Sequence, residues 1–120
     1  MDMNLKIKIY LEDGSGKFMG IGVLWLLQAL ESENSLRSAA VKTGISYSKA
    51  YNMIANLEKA TGHKMVERRH GGHERTGVIL TDYARQFISL YDNFQSSCKE
   101  LLEQPFAEFR EELRKLEEEK

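Results

Sequence analysis

The 120 residues suit one domain of ordinary size, and with 42% of them hydrophobic the chain can bury a core. Charged residues make up 29%, no apolar run approaches the roughly 20 residues that span a bilayer, and the single cysteine, Cys98, excludes an internal disulfide. The formal net charge of −1 hides a split. Residues 36–77 hold eight basic residues against three acidic ones, a net of +5, whereas residues 99–120 hold five against eight, a net of −3. The middle attracts phosphate and the tail repels it. The start of the chain is acidic, with no apolar stretch and small-residue cleavage site behind it. No signal peptide is therefore expected, and the cytoplasm is the expected compartment.

Leu5, Ile7, Ile9 and Leu11 alternate with Lys6, Lys8, Tyr10 and Glu12, and a period of two predicts a half-buried N-terminal strand. Asp13, Gly14, Ser15 and Gly16 mark a turn. Residues 18–30, apolar on nearly every side and including Trp25, predict a buried first helix. Asn34 or Ser35 can cap the next helix, residues 36–43, which turns Leu36, Ala39, Ala40 and Val41 towards the core. Gly44 is placed to end it in the left-handed conformation. Ser46 can cap a second helix, residues 47–61, with Ala50, Ile54 and Leu57 as its inner stripe and Gly62 as its end. Residues 64–69 and 78–80 read as two strands around a polar loop, and Thr81 caps a long helix. Tyr83, Phe87, Leu90, Tyr91, Phe94, Cys98 and Leu101 lie on that helix at spacings of three and four. Pro105 is expected to interrupt it or to start a new one, because proline lacks an amide hydrogen.

Residues 35–54 carry the functional signal. A short helix, a sharp turn at Gly44 and a second helix make a helix-turn-helix, with Ala40 small enough for a steep crossing. Ser46, Tyr47, Ser48, Lys49, Tyr51 and Asn52 are left facing outward at the start of the second helix, the end that enters the major groove in such proteins. Hydroxyls and a helix N-terminus bind phosphate, and Asn and Lys reach base edges. An ordinary helical hairpin with a solvated face is the alternative, which the turn chemistry and the polar face together disfavour. The loop with Arg68, Arg69, His70, Gly72, His73 and Arg75 reads as a basic wing, residues 68–77, against the alternative of a plain surface loop.

Gly44-Ile45-Ser46-Tyr47-Ser48-Lys49-Ala50-Tyr51, then Gly71-Gly72, Leu80-Thr81 and Leu90-Tyr91, resemble the N-terminal DNA-binding domain of ModE-type molybdate-responsive regulators. The chain is more distantly similar to the LysR-type winged helix. The resemblance covers residues 5–102, and its motifs together are specific. It implies a strand, three helices, a two-stranded wing and a long helix that pairs two subunits. The family often has Trp where this chain has Tyr51. Its members continue into a separate oxyanion-binding domain that these residues do not include, so molybdate sensing is not carried over.

Other features carry less. His63, His70 and His73 have no neighbouring cysteine or carboxylate at ligand spacing, so no metal is assigned to them. Cys98 on an apolar stripe fits packing better than redox chemistry. No nucleophile elbow and no Gly-Lys phosphate loop is present, so neither an enzyme nor a cofactor is expected. The expected fold is mostly α (α+β): a winged helix-turn-helix over residues 1–81 with an N-terminal strand, then a helical dimerisation segment over 82–120. The expected function is duplex-DNA binding by a homodimeric bacterial or archaeal transcription regulator, without a membrane and with no effector assigned. Phe87, Leu90, Tyr91, Phe94, Cys98 and Leu101 are the expected dimer seam. In this reading Tyr47, Lys49, Tyr51 and Asn52 read bases, while Arg37, Ser46, Ser48 and the wing position the backbone. The alternatives are a winged helix turned to protein–protein assembly, and a ligand sensor built at the dimer interface.

Overall fold

The computed structural model describes residues 2–68 and 77–119. Its elements are β1 (Leu11–Asp13), β2 (Gly16–Met19), α1 (Ile21–Ser32), α2 (Leu36–Thr43), α3 (Tyr47–Thr61), β3 (Val66–Arg68), β4 (Val78–Leu80) and α4 (Asp82–Glu118). The helix-turn-helix segment and the strand that leads into α4 follow the expected order. The beginning of the chain does not.

Residues 5–10 form no ladder. The first strand starts only at Leu11 and pairs with β2, Asp13 standing opposite Gly16, while Asp13 Oδ1 accepts from the Ser15 amide at 2.8 Å. Phe18 and Met19, expected in the first helix, belong to β2. The segment before β1 instead lies along α4 in the opposite direction. Ile9 meets Tyr91, Leu5 and Ile7 border a groove with Leu102 and Phe106, and Met3 lies beside Leu113. An alternating pattern reports an extended chain with one covered face; it does not say whether a strand or a helix does the covering.

The core gathers around α1. Leu26 and Leu27 of α1, Leu57 of α3, Met65 just before β3 and Leu80 of β4 meet there with almost no exposure. Two expected core residues are outside it: Trp25 is 56% exposed and Val41 77%. On α1 Val23, Leu24, Leu26, Leu27, Ala29 and Leu30 are buried, and Trp25 and Gln28 lie on the strip that remains exposed. The core surrounds most of this helix but not its whole circumference.

α4 runs unbroken for 37 residues, about 55 Å. Pro105 neither stops nor restarts it. Proline withholds one amide from the carbonyl of Leu101, and that position is exposed, so water can satisfy the carbonyl. The first half of α4 seats Ala84, Ile88, Tyr91 and Gln95 in the protein, and the second half extends beyond it, stretching the molecule to 69 × 28 × 22 Å. Near its end Arg114 pairs with Glu111 and Glu118, and the Arg114 hydrogen bond and charge hold the Glu111 carboxyl below its ordinary range. No helix among the described residues is long and apolar enough to cross a membrane.

Candidate nucleic-acid interface

The helix-turn-helix is built by local chemistry. Ser35 caps α2 by accepting from the Ser38 amide at 3.0 Å, and Ser46 caps α3 by accepting from the Lys49 amide at 3.1 Å. Between them Gly44 sits at φ 75° and ψ 26°, where a Cβ would be strained. The turn closes with the amides of Gly44 and Ile45 donating to Val41 and Ala40. Ala39, Ala40 and Ala50 are fully or almost fully buried at the crossing, where small side chains let the helices approach.

This leaves Ser46, Tyr47, Ser48, Lys49, Tyr51 and Asn52 exposed around the N-terminal half of α3, with Arg37 exposed on α2. The structure brings these seven together on one side of the molecule, but not as equals. Arg37 carries its guanidinium over the Tyr47 ring, 4.7 Å from the centroid. The Tyr47 and Tyr51 rings are 6.5 Å apart. Both tyrosines border a cleft of about 660 Å³ between α2, α3 and the wing strands, together with Ser35, Arg37, Glu58 and Lys64. Asn56 and Lys59 continue the exposed face of α3. Sequence reasoning missed both, although they repeat the outward spacing of Ser48 and Asn52 one turn further on.

The wing is tied to α3 by a residue that sequence reasoning also missed. Glu58 Oε2 accepts from the Met65 amide at 2.8 Å and more loosely from the Val66 amide at 3.5 Å, and Glu58 Oε1 lies 3.7 Å from Lys64 Nζ. From there β3 pairs antiparallel with β4, Val66 opposite Leu80 and Arg68 opposite Val78. Thr81 joins the sheet to α4. Its amide donates to Met65, its hydroxyl donates to the Lys64 carbonyl at 2.7 Å, and its Oγ1 accepts from the Ala84 amide at 3.1 Å. On the other edge the Val78 amide donates to the Asn34 carbonyl, so the α1–α2 linker flanks the wing. Arg68 is exposed at the end of β3. Arg69, His70, Gly72, His73 and Arg75 lie outside the described residues. His63 stacks flat on Tyr83, centroids 4.0 Å apart.

The long helix separates the expected seam into two faces. Tyr91, assigned to that seam, is only 3% exposed within the single chain, and its hydroxyl donates to Ile9. Phe87 packs partly against the core, and Cys98 is half-buried. Leu90, Phe94 and Leu101 remain exposed, and Phe109 and Leu116 extend the exposed apolar positions towards the end of α4. The N-terminal segment covers the first face and leaves the second open.

Two helices joined by a tight turn at Gly44, the second capped by Ser46, with an antiparallel strand pair beside them and a long helix after it, define a winged helix-turn-helix protein. The sequence profile of the bacterial regulatory helix-turn-helix proteins of the lysR family matches residues 22–85, just over half of the chain, and the chain belongs to that family. It is 36% identical over 67 residues to the DNA-binding transcriptional dual regulator ModE of Escherichia coli (strain K12), a match covering 56% of this chain and 26% of that protein. Against the molybdenum transport protein ModE of Azotobacter vinelandii the identity is 35% over 66 residues, covering 55% and 24%. The chain thus spans about a quarter of the length of the curated relatives it matches. Among solved structures, a CbnR DBD–DNA complex aligns with TM-score 0.58 at 19% identity, over 74% of this chain and 97% of that one. The full-length LTTR LysG from Corynebacterium glutamicum aligns with TM-score 0.50 at 23% identity, over 73% and 29%. At such identities the likeness is one of fold.

Proposed function

We propose that this chain is a transcription regulator that binds duplex DNA sequence-specifically as a homodimer. One observation carries the reading: the capped N-terminal half of α3 presents Ser48, Lys49, Asn52 and their neighbours as a continuous exposed polar face beside the wing. A helix held in this way fits the major groove, where Asn and Lys find base edges and the wing finds phosphate. The net charge of +5 over residues 36–77 supports it, as do the ModE relative, named a DNA-binding regulator, and the CbnR structure, a DNA complex. In this proposal residues 1–81 bind DNA and residues 82–120 pair two chains through Leu90, Phe94 and Leu101. Arg68 and the loop that follows supply backbone contacts.

The test is selection of bound sequences from random duplex DNA, followed by titration of the winning site across salt concentrations. The expected result is a two-fold symmetric site whose log affinity falls linearly with log salt. Replacing Arg68, Arg69 and Arg75 by Ala should weaken all sequences alike and flatten that line by about 0.9 for each phosphate left without its arginine. Binding with no salt dependence, or none at all, would favour a winged helix that assembles with protein.

A further inference from the structure

We infer that Tyr47 is a positioning residue rather than a base reader: its ring holds the Arg37 guanidinium against the DNA backbone, so that the pair makes one phosphate contact in each half-site. The inference rests on the duplex-DNA reading above and changes what one residue of that surface does.

Helical geometry separates the tyrosines from the other outward residues of α3. At about 3.6 residues per turn, Ser48, Asn52 and Lys59 stand opposite the buried stripe of Ala50, Ile54 and Leu57, while Tyr47 and Tyr51 stand on its flank. That flank faces the cleft shared with α2 and the wing, not the crest that would enter a groove first. One face of the Tyr47 ring is already occupied by Arg37 at 4.7 Å, inside the range of a cation–π contact. Among the described residues no carboxylate pairs with Arg37. A guanidinium held over a ring by its charge keeps N–H donors on the side away from the ring, and these can meet phosphate oxygens. Of the other polar groups in the cleft, the Ser35 hydroxyl is turned to Ser38 and Lys64 Nζ lies 3.7 Å from the Glu58 carboxylate, so Arg37 is the cation there with no carboxylate beside it among the described residues. An arginine on a long flexible stem loses entropy on binding, and a ring that fixes it beforehand reduces that loss.

The experiment is a double-mutant cycle on the full chain, read by fluorescence anisotropy with the selected duplex and with a library of single-base variants. Arg37→Ala should weaken every duplex alike and lower the salt slope by about 0.9. Tyr47→Ala should weaken every duplex by about two- to fivefold, the range of an exposed cation–π contact, and leave the ranking of the library unchanged. Tyr47→Phe should bind like the wild type, and Tyr47→Ala should cost nothing further in the Arg37→Ala background. Tyr47→Gln serves as a second removal, with thermal melting of both variants to confirm the fold. A changed base preference at one position, or a Tyr47 effect that persists without Arg37, would overturn the inference. So would an unchanged salt slope in Arg37→Ala when the wild type binds normally, which would leave the DNA reading standing. A wild type without salt-dependent binding would overturn both.

Discussion

The Tyr91 hydroxyl donates to the Ile9 carbonyl oxygen at 2.8 Å, joining two positions 82 residues apart. The bond fastens the N-terminal segment onto α4 at the point where that helix leaves the core. Burial, and then the neighbouring Tyr10, raise the Tyr91 hydroxyl above the ordinary tyrosine value.

Tyr91→Phe should therefore cost about 0.5–1.5 kcal/mol near neutral pH, the net worth of one hydrogen bond. Its alkaline behaviour should differ as well. The folded chain holds the Tyr91 proton more tightly than the unfolded chain does, so this contribution is whole below about pH 10 and is lost as pH rises through the raised folded value. Urea unfolding at pH 7 and again above pH 10 should show the wild type losing more stability than Tyr91→Phe. Equal losses would remove Tyr91 from the linkage.

Asn52 is exposed on the crest of α3. Asn52→Ala should relax preference at one base pair per half-site by about 1–3 kcal/mol if the amide makes a bidentate contact. A library of single-base variants of the selected site reads this directly, and an unaltered profile would take Asn52 out of base reading.

Glu58 holds the start of the wing through two backbone amides. Removing the carboxylate leaves those amides without their acceptor, so Glu58→Ala should destabilise the protein by about 1–3 kcal/mol. Hydrogen exchange of the Met65 amide should accelerate in that variant. Glu58→Gln keeps an acceptor oxygen and should recover most of the loss. If both variants match the wild type in exchange and melting, the anchor is dispensable.

Leu90, Phe94 and Leu101 are exposed in the single chain, Leu90 at 71%. A two-fold pairing of α4 with a second copy would cover them, because such an interface is self-complementary. Sedimentation at micromolar concentration should give a dimer, and Phe94→Asp should shift it towards monomer while weakening binding to the selected site. A wild type that stays monomeric at all concentrations yet binds tightly would exclude this pairing.

The parts legible in the sequence are those governed by local rules. Ser35, Ser46 and Thr81 cap helices as expected, and Gly44 and Gly62 close helices at positive φ, because caps and left-handed turns depend on a few adjacent residues. What escaped depends on distant partners. The alternation of residues 5–11 carries the spacing of a covered face but not the identity of α4 as its cover. The apolar stripe of α4 looks like one seam because Tyr91 and Phe94 are three apart. In three dimensions the first is closed by the N-terminal segment and the second is open. Glu58 reads as an ordinary surface acid, since nothing in its neighbourhood along the chain announces two amides seven and eight residues later.

The Val78 amide reaches the Asn34 carbonyl, so the return strand of the wing is seated on the linker between the first two helices. Contacts that close short loops form early in folding and those that close long ones form late. The α2–turn–α3 unit closes within its own short stretch of chain, whereas this seat needs the whole hairpin to come back. The α2–α3 pair would then be assembled before the wing is registered beside it. In rate measurements, Ala40→Gly should slow folding, and Val78→Ala should instead speed unfolding.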